Sequence, residues 1–248
     1  MKLLLSTHSR VLEFDTKTFG TKIIHSGRGV YYGFIPGWVV SRSHRECFFN
    51  LKTYEEVILP SKFTHDATCY GSRVLVADCD GGAIVELEFP SMQIKRHVKA
   101  FTVQNHINTV AIVDGEVWAL LHNFGKSILV NVDMDTGNWK SYNYNVGYHS
   151  HGLAWWHEGF IILSSHEGSI IHVTTETQVL WTDPKKKFLK GLHIIDDVAY
   201  FGISDVTHRS NRGSPNLQCE VGAFDLKTNK LLWRQEVQTC GLLNAISS

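Results

Sequence analysis

Short runs of apolar residues alternate with turns of glycine, aspartate and asparagine along almost the whole chain. The runs are rich in β-branched and aromatic residues, a composition typical of β-strands that are bounded by tight turns. Apolar residues with a helical period are almost absent. The pattern therefore predicts an all-β protein built from many short antiparallel strands.

Four segments of the chain share a motif. A histidine or lysine lies one or two positions before a small or polar residue, and two apolar runs follow. When Asp66, Asn108, Gly152 and Gly191 are taken as equivalent positions, the segments follow one another at 42, 44 and 39 residues. A period of about 40 residues that holds four strands is typical of one blade of a β-propeller. The repeat therefore predicts four successive blades.

Two further blades are predicted from the rest of the chain. Residues 30–59 contain four strand-like runs, and the two termini together contain another four, with Leu242–Ile246 supplying the innermost one. Closing the ring with strands from both ends removes the exposed edges of an open sheet. We expect residues 1–248 to form a single domain, a six-bladed β-propeller of four-stranded antiparallel blades. The length excludes seven blades, and five would follow if the termini were misread.

The repeat resembles that of the six-bladed propellers of the NHL-repeat, gluconolactonase-like and arylsulfotransferase-like families. The resemblance rests on His151-Gly152-Leu153-Ala154, His106-Ile107-Asn108 and the stretch Val130–Gly137. It implies the architecture, but no complete set of catalytic or metal-binding residues from any one family is present. Function must therefore be argued from the residues of the site.

Charge and cysteine content narrow the range of partners. Lys+Arg and Asp+Glu both number 24, whereas nucleic-acid-binding proteins usually have a basic face or excess. No apolar stretch approaches the length of a membrane span, and the N-terminus lacks the apolar core of a signal peptide. Five cysteines without a C-x-x-C pair predict reduced thiols. We expect a cytoplasmic protein without nucleic-acid or membrane partners.

The chain contains 14 histidines, and the predicted blades place nine of them on one face of the ring. In each blade, the start of the first strand and the loop between the second and third strands lie on this face. These positions hold His8, His44, His65, His106, His122, His149, His151, His166 and His208. Because imidazole titrates near neutral pH and is the commonest metal ligand, this face is predicted to hold the functional site.

Histidines from separate inner strands predict a metal site on the axis of the ring. His65, His106 and His151 would bind a divalent metal ion (iron, zinc, copper or calcium), with a neighbouring histidine as a further ligand. An open coordination position would then activate water, dioxygen or a bound carbonyl. The three histidines do not occupy the same position relative to the aligned residues, so the hypothesis requires a β-bulge or an irregular loop.

The same loops contain groups that suit an anionic substrate. Guanidinium groups pair with carboxylate, sulfate or phosphate through parallel hydrogen bonds. We therefore expect substrate-binding roles for Arg42, Arg212 and Asn123, and catalytic roles for His122, His149 and Arg209. Residues 204–218 form an insertion long enough to fold over the mouth of the channel.

These residues are compatible with three functions. The preferred one is a metal-dependent hydrolase, lyase or oxidoreductase that acts on a small polar or anionic substrate at the channel mouth. The second is a metal-free enzyme that uses histidine as general acid, base or nucleophile. The third is a non-catalytic module that binds a peptide or glycan. The histidines and arginines differ from blade to blade, which favours a single site over a lectin with several.

Overall fold

The computed structural model of the protein describes residues 1–27, 29–42, 45–217 and 219–248, except for the side chain of Arg209. Within these ranges it contains 24 β-strands and two single-turn 3-10 helices, Val103–Asn105 and Arg209–Asn211. The strands form six four-stranded antiparallel sheets. The all-β, six-bladed propeller predicted from the sequence is therefore confirmed.

Five of the six blades are formed by four consecutive strands. Blade 1 combines the two termini: β1 (Lys2–Thr7), β2 (Arg10–Asp15) and β3 (Thr21–Ser26), with β24 (Leu243–Ser247). Blade 2 contains β4 (Val30–Ile35), β5 (Trp38–Arg42), β6 (Glu46–Asn50) and β7 (Glu56–Ile58). Blade 3 contains β8 (Thr64–Tyr70), β9 (Arg73–Asp78), β10 (Ala83–Glu88) and β11 (Gln93–Lys99).

The remaining three blades follow the same order along the chain. Blade 4 contains β12 (Ile107–Val113), β13 (Glu116–Leu121), β14 (Ile128–Val132) and β15 (Trp139–Asn143). Blade 5 contains β16 (His151–Trp156), β17 (Gly159–Ser164), β18 (Ser169–Val173) and β19 (Thr177–Thr182). Blade 6 contains β20 (Phe188–Ile195), β21 (Val198–Ser204), β22 (Cys219–Asp225) and β23 (Lys230–Val237).

The ring is closed by the pairing of the two chain ends. β24 runs antiparallel to β1, with Leu4 opposite Ser247 and Leu5 opposite Ile246. The first strands of neighbouring blades contact one another around the whole ring, so that β24, β4, β8, β12, β16 and β20 enclose the channel. This confirms the predicted closure, in which the C-terminal strand is the innermost strand of the blade that the N-terminus begins.

The core of the protein lies between the blades. Each neighbouring pair of blades encloses one cluster of buried apolar side chains, such as Leu120 and Leu129 of blade 4 against Phe160 and Ile162 of blade 5. Side chains alternate between the two faces of a strand. Burial of both faces of the middle strands between blades explains why their sequences are nearly continuous apolar runs.

Every inner strand contains one extra residue, at a similar level in each blade. The pairing with the second strand skips one residue in each case, and the unpaired residues are His65, Asn108, Gly152, Gly191 and Asn244, with a sixth between Tyr31 and Phe34. Such a bulge re-aims the neighbouring side chains. The sequence alignment is therefore one residue off in blade 3, where the bulge lies at His65 and not at Asp66.

Glycine at these bulges allows the inner strands to approach closely. Gly191 has a φ of 75°, and a Cβ atom there would lie 2.9 Å from the Cα atom of Ala245 in blade 1. A Cβ atom on Gly33 would lie 2.5 Å from the backbone nitrogen of Ala67 in blade 3. The bulges therefore form a narrow collar that holds the first residues of the inner strands around the axis.

Two further expectations concern the cysteines and membrane spans. All five cysteines are free thiols, and Cys47, Cys79 and Cys219 are buried. In the part of the chain that the structure describes, neither helix has the length or apolar character needed to cross a bilayer. The cysteines therefore contribute to the core as thiols and do not cross-link the blades.

Candidate functional site

Four histidine rings meet at the mouth of the channel and form a closed circuit. The ring centroid of His65 lies 5.8 Å from that of His106 and 5.4 Å from that of His151. His122 completes the circuit, at 5.1 Å from His106 and 5.4 Å from His151. All four side chains are at most 9% exposed. We refer to His65, His106, His122 and His151 as the histidine quartet.

Two more histidines extend the histidine quartet on one side. His149 stacks on His122 with a centroid distance of 4.5 Å and an interplanar angle of 13°. His166 lies 5.5 Å from His149, and Tyr148 packs against both. Blades 3, 4 and 5 thus bring six of the nine predicted histidines into contact.

The loops of blades 4 and 5 hold this part of the mouth in a strained backbone conformation. His106, Asn123, Phe124 and His149 all have φ values between 47° and 52°, in the left-handed region that residues other than glycine rarely adopt. The ring of Phe124 packs on His106 at 4.6 Å. Such a conformation persists only where the surrounding structure holds it in place. The loops that carry His106 and His149 are therefore fixed by their surroundings.

Backbone contacts assign opposite tautomers to His151 and His122. Nδ1 of His151 lies 2.9 Å from the carbonyl oxygen of His149, which can only accept a hydrogen bond. Nδ1 of His151 therefore holds the proton, and Nε2 has a free lone pair. The backbone N–H of Phe124 donates to Nδ1 of His122 at 3.1 Å, so Nε2 of His122 holds the proton. Two adjacent buried rings thus offer one acceptor and one donor.

Two cationic side chains lie next to the histidine quartet. Lys190 in β20 is buried, and its Nζ donates to Oδ1 of Asn244 at 3.1 Å and lies over the ring of Tyr32. The guanidinium of Arg212 lies 5.3 Å from the centroid of Phe188, which itself contacts His151. The backbone N–H of Leu242 donates to the carbonyl of Arg212 at 2.7 Å. Arg212 therefore reaches the mouth from the insertion between β21 and β22.

Burial and these two cations keep the histidines neutral. Burial, followed by the charge of Lys190, holds the pKa values of His65 and His151 well below the ordinary value of 6.5. Burial, together with the neighbouring His106 and His149, lowers the pKa of His122 to about 3. Burial and Lys190 lower the pKa of His8 to about 4. At pH 7 these imidazoles are therefore uncharged acceptors and donors within a positive potential.

A cavity of about 440 Å³ extends from the histidine quartet along the channel. His65, His151 and Lys190 line both the mouth and this cavity, and Asp66 lies just below them. Burial raises the pKa of Asp66 to about 7, against hydrogen bonds from the backbone N–H groups of Ala67 and Val110. The channel therefore contains a carboxyl group that titrates near neutral pH.

The other residues predicted for the site occupy less central positions. Nε of Arg42 lies 3.2 Å from Oε1 of Glu46, and its guanidinium stacks on Phe63, one layer behind His65. The side-chain amide of Asn123 contacts Asn105 and the carbonyl of Lys126 within its own loop. His208 contacts Ser210 in the insertion. The side chain of Arg209 and the whole of His44 lie outside the described residues.

The predicted metal ligands are close together but are not arranged around a common point. Among the described residues, no group of three or more His, Cys, Asp or Glu side chains has the geometry of a metal site. His65 contacts both His106 and His151 through its ring. The residues as they stand therefore do not fit a metal ion, and binding one would require their side chains to rotate.

Three residues of the site were given no role by the sequence analysis: Lys190, Asp66 and Ser165. Lys190 directly precedes the bulge at Gly191, as His151 directly precedes the bulge at Gly152. This equivalence was visible in the aligned repeat and could have identified Lys190. Ser165 is buried, and its Oγ lies 2.8 Å from Nδ1 of His151, a contact between a strand start and a loop that no sequence pattern indicates.

No known protein family and no curated protein matches the sequence. Solved structures do match. A chain in a crystal structure of a nidogen/laminin complex has a TM-score of 0.76 at 13% identity, covering 99% of this chain and 97% of that one. A protein of unknown function from Bacteroides caccae has a TM-score of 0.68 at 12% identity, covering 99% and 97%. Streptogramin B lyase has a TM-score of 0.62 at 10% identity, covering 94% and 77%. At these identities the likeness shows the six-bladed propeller fold alone.

Proposed function

We propose that the channel mouth is the active site of an enzyme that acts on a small anionic substrate by acid–base catalysis. The proposal rests on one observation above all: His151 and His122 are buried neighbours with opposite tautomers, 5.4 Å apart between ring centroids. The two rings are in van der Waals contact, so a base and a hydrogen-bond donor would both reach one reacting group bound against them at the mouth. A base beside a donor for the developing negative charge is a pair that proton-transfer enzymes use.

The charges around the mouth favour an anion. Lys190 and Arg212 lower the pKa values of His65 and His151 through their charges, so the site has a positive potential before any substrate binds. The guanidinium of Arg212 would pair with a carboxylate, sulfate or phosphate of the substrate. A divalent cation would be repelled by the same two charges. The electrostatics therefore support the metal-free interpretation over the metal-dependent one.

Each histidine would have a defined task in the reaction. Nε2 of His151 would accept a proton from a water molecule or an activated C–H group of the substrate and then, as imidazolium, return it to the leaving group. The neutral Nε2–H of His122 would donate a hydrogen bond to the negative charge that develops in between. The negative charge of the bound substrate would raise the depressed pKa of His151 towards neutrality, so that the base gains strength only when substrate is present. Hydrolysis and elimination are both compatible with this pair.

Streptogramin B lyase has the same fold, so the architecture is one in which a lyase exists. A chain of the nidogen/laminin complex also has it, and a peptide-binding role is the alternative that the test must separate. The asymmetry of the mouth, with its histidines in blades 3, 4 and 5 and its cations on blade 6, supports a single small-molecule site.

Anion binding at the mouth is expected to be coupled to proton uptake. Because the free site has neutral imidazoles with depressed pKa values, a bound anion stabilises their protonated forms. Calorimetric titration with phosphate at pH 6.5, in two buffers of different ionisation enthalpy, should show net uptake of a proton. Affinity should increase as the pH is lowered from 7.5 to 6, and Arg212→Ala should weaken binding about tenfold or more.

A suitable control for this titration is Arg73→Ala, which removes an arginine on the opposite face that pairs with Glu86. The control should bind phosphate like the unmodified protein. Equal heats in both buffers, or phosphate binding that Arg212→Ala leaves unchanged, would contradict the proposal. Saturable binding of short peptides without proton uptake would instead support the peptide-binding alternative.

A divalent metal held by His65, His106 and His151 is the second candidate. The specific observation in its favour is that the ring centroid of His65 lies 5.8 Å from that of His106 and 5.4 Å from that of His151. The side chains would have to rotate before their nitrogens met at one ion. A ligand histidine typically donates its second N–H to a carbonyl, as His151 does to His149.

Elemental analysis separates the two candidates. If acid–base catalysis without metal is correct, protein expressed with added iron, zinc or copper and then desalted should contain well under one metal ion per chain. The double variant His106→Ala, His151→Ala should contain the same amount. A stoichiometric metal that the double variant loses would establish the metal site and overturn the metal-free mechanism.

A further inference from the structure

Two aromatic side chains beside the histidine quartet remain open to solvent. Phe124 is 54% exposed, and its ring centroid lies 4.6 Å from that of the buried His106. Tyr148 is 37% exposed, and its ring centroid lies 4.8 Å from that of His149. Each ring therefore covers a histidine of the site and leaves part of its own surface exposed. We refer to Phe124 and Tyr148 as the aromatic shelf.

The two rings of the aromatic shelf come from neighbouring loops that are fixed to each other. Oη and Cζ of Tyr148 lie 3.7 and 3.9 Å from the position that a Cβ atom would have on Gly125, the residue after Phe124. The backbone N–H of His149 donates to the carbonyl of Gly125 at 2.9 Å. The backbone N–H of Phe124 donates to Nδ1 of His122 at 3.1 Å. The aromatic shelf is therefore one preorganised surface, and binding a ligand there requires little ordering of the protein.

The proposed catalytic histidines connect the aromatic shelf to the cationic part of the mouth. The ring of His122 lies 5.5 Å from that of Phe124 and 5.4 Å from that of His151. His151 in turn contacts Phe188, over which the guanidinium of Arg212 lies. A ligand that spans the mouth would therefore meet aromatic rings at one end, the two imidazoles in the middle and a guanidinium at the other end.

The exposed surface of the aromatic shelf suits an aromatic ring. Aromatic rings attract one another in offset or edge-to-face arrangements, beyond the effect of the apolar area that they bury. Aromatic faces also attract cations, but the charges of Lys190 and Arg212 act on the same mouth and repel them. An anion that carries an aromatic ring therefore complements both parts of the mouth at once.

From this arrangement we infer that the substrate is a small carboxylate that carries an aromatic ring. The ring stacks on Phe124 and Tyr148, and the carboxylate pairs with Arg212. The reacting group lies between these two ends, against His122 and His151. This inference rests on the proposed function for the anion and the reacting group, and it adds the ring and the surface that binds it.

The test is calorimetric titration of the whole protein with phenylacetate and cyclohexylacetate at one pH and ionic strength. The two acids have the same charge and similar size, and the saturated ring is the more hydrophobic, so the hydrophobic effect alone would favour cyclohexylacetate. Stacking on the aromatic shelf should instead make phenylacetate bind about fivefold more tightly. Phe124→Leu and Tyr148→Leu should each remove most of this preference, whereas Tyr148→Phe, which keeps the ring, should retain it.

A matched control makes the same exchange at another exposed phenylalanine. Phe19, in the turn between β2 and β3, also has a left-handed backbone, with a φ of 57°. Phe19→Leu should bind both acids like the unmodified protein. Cyclohexylacetate binding as tight as that of phenylacetate, or a preference that both shelf variants retain, would overturn the aromatic site. Phosphate binding that Arg212→Ala weakens would then leave the proposed function intact, while absence of saturable binding for both acids and for phosphate would overturn both.

Discussion

Replacing His151 with glutamine is expected to lower kcat/KM by about 10²–10⁴-fold, the range that removal of a general base or acid typically costs. Glutamine preserves the approximate size and polarity of the side chain, but its amide is not a base. His122→Leu should lower kcat/KM by about 10²–10³-fold, because it removes the hydrogen-bond donor to the developing negative charge. Turnover of a panel of carboxylate-bearing esters and lactones, followed by NMR, provides the measurement.

The division between kcat and KM distinguishes catalysis from binding. Both histidine variants should reduce kcat with little change in KM, whereas Arg212→Ala should raise KM. Ser165→Ala removes one of the two contacts of Nδ1 of His151 and should reduce kcat about tenfold, since the remaining contact still selects the tautomer. His157→Gln, at an exposed position, is the control and should retain full activity. Unchanged kcat in His151→Gln would disprove its role as the base.

The fold was predictable because its signals are local. Short apolar runs bounded by turn residues define each strand, and their recurrence every 40 residues or so defines the blades. The predicted innermost strand Leu242–Ile246 differs by one residue at each end from the observed Leu243–Ser247. Ring closure could be predicted as well, because a terminal blade with three strands requires a fourth from the other end.

The site was predictable only as far as blade topology determines it. The topology places loop residues on one face, and six of the nine histidines expected there are in contact. The direction of a long side chain depends on its neighbours, and Arg42 was expected to bind substrate although Glu46 is its partner in the structure. The exact position of each bulge, which decides whether a residue faces the axis, likewise depends on packing between blades.

The depressed histidine pKa values predict that the protein is strongly destabilised between pH 7.5 and pH 5. A histidine whose pKa is about 6.5 unfolded but lower when folded binds more protons in the unfolded state, so stability falls as the pH drops below 6.5. Burial causes this shift in His8, His65, His122 and His151. The pKa values of about 4 for His8 and about 3 for His122 correspond to a loss of about 2 kcal/mol each at pH 5, and His65 and His151 shift stability in the same direction.

Asp66 acts in the opposite direction and reduces the net effect. Its pKa is raised to about 7 in the folded protein, so between pH 7 and 4 the folded state binds the proton that the unfolded state has lost. Protonation of Asp66 therefore restores about 2–3 kcal/mol as the pH falls to 5. The four histidines together outweigh this gain, so a net loss of stability is expected as the pH falls to 5.

Urea denaturation at pH 7.5 and pH 5.0 measures this loss directly. The window avoids the carboxylates with lowered pKa values, such as Glu220 at about 2, which titrate at lower pH. His122→Gln should reduce the difference between the two pH values by about 2 kcal/mol, and Asp66→Asn should increase it by about 2–3 kcal/mol. Gln93→Asn, an exchange of uncharged amides at an exposed position on β11, should leave the difference unchanged. Equal stability at both pH values would show that the histidine quartet is not neutral and buried at pH 7. That result would also contradict the catalytic roles proposed for His122 and His151.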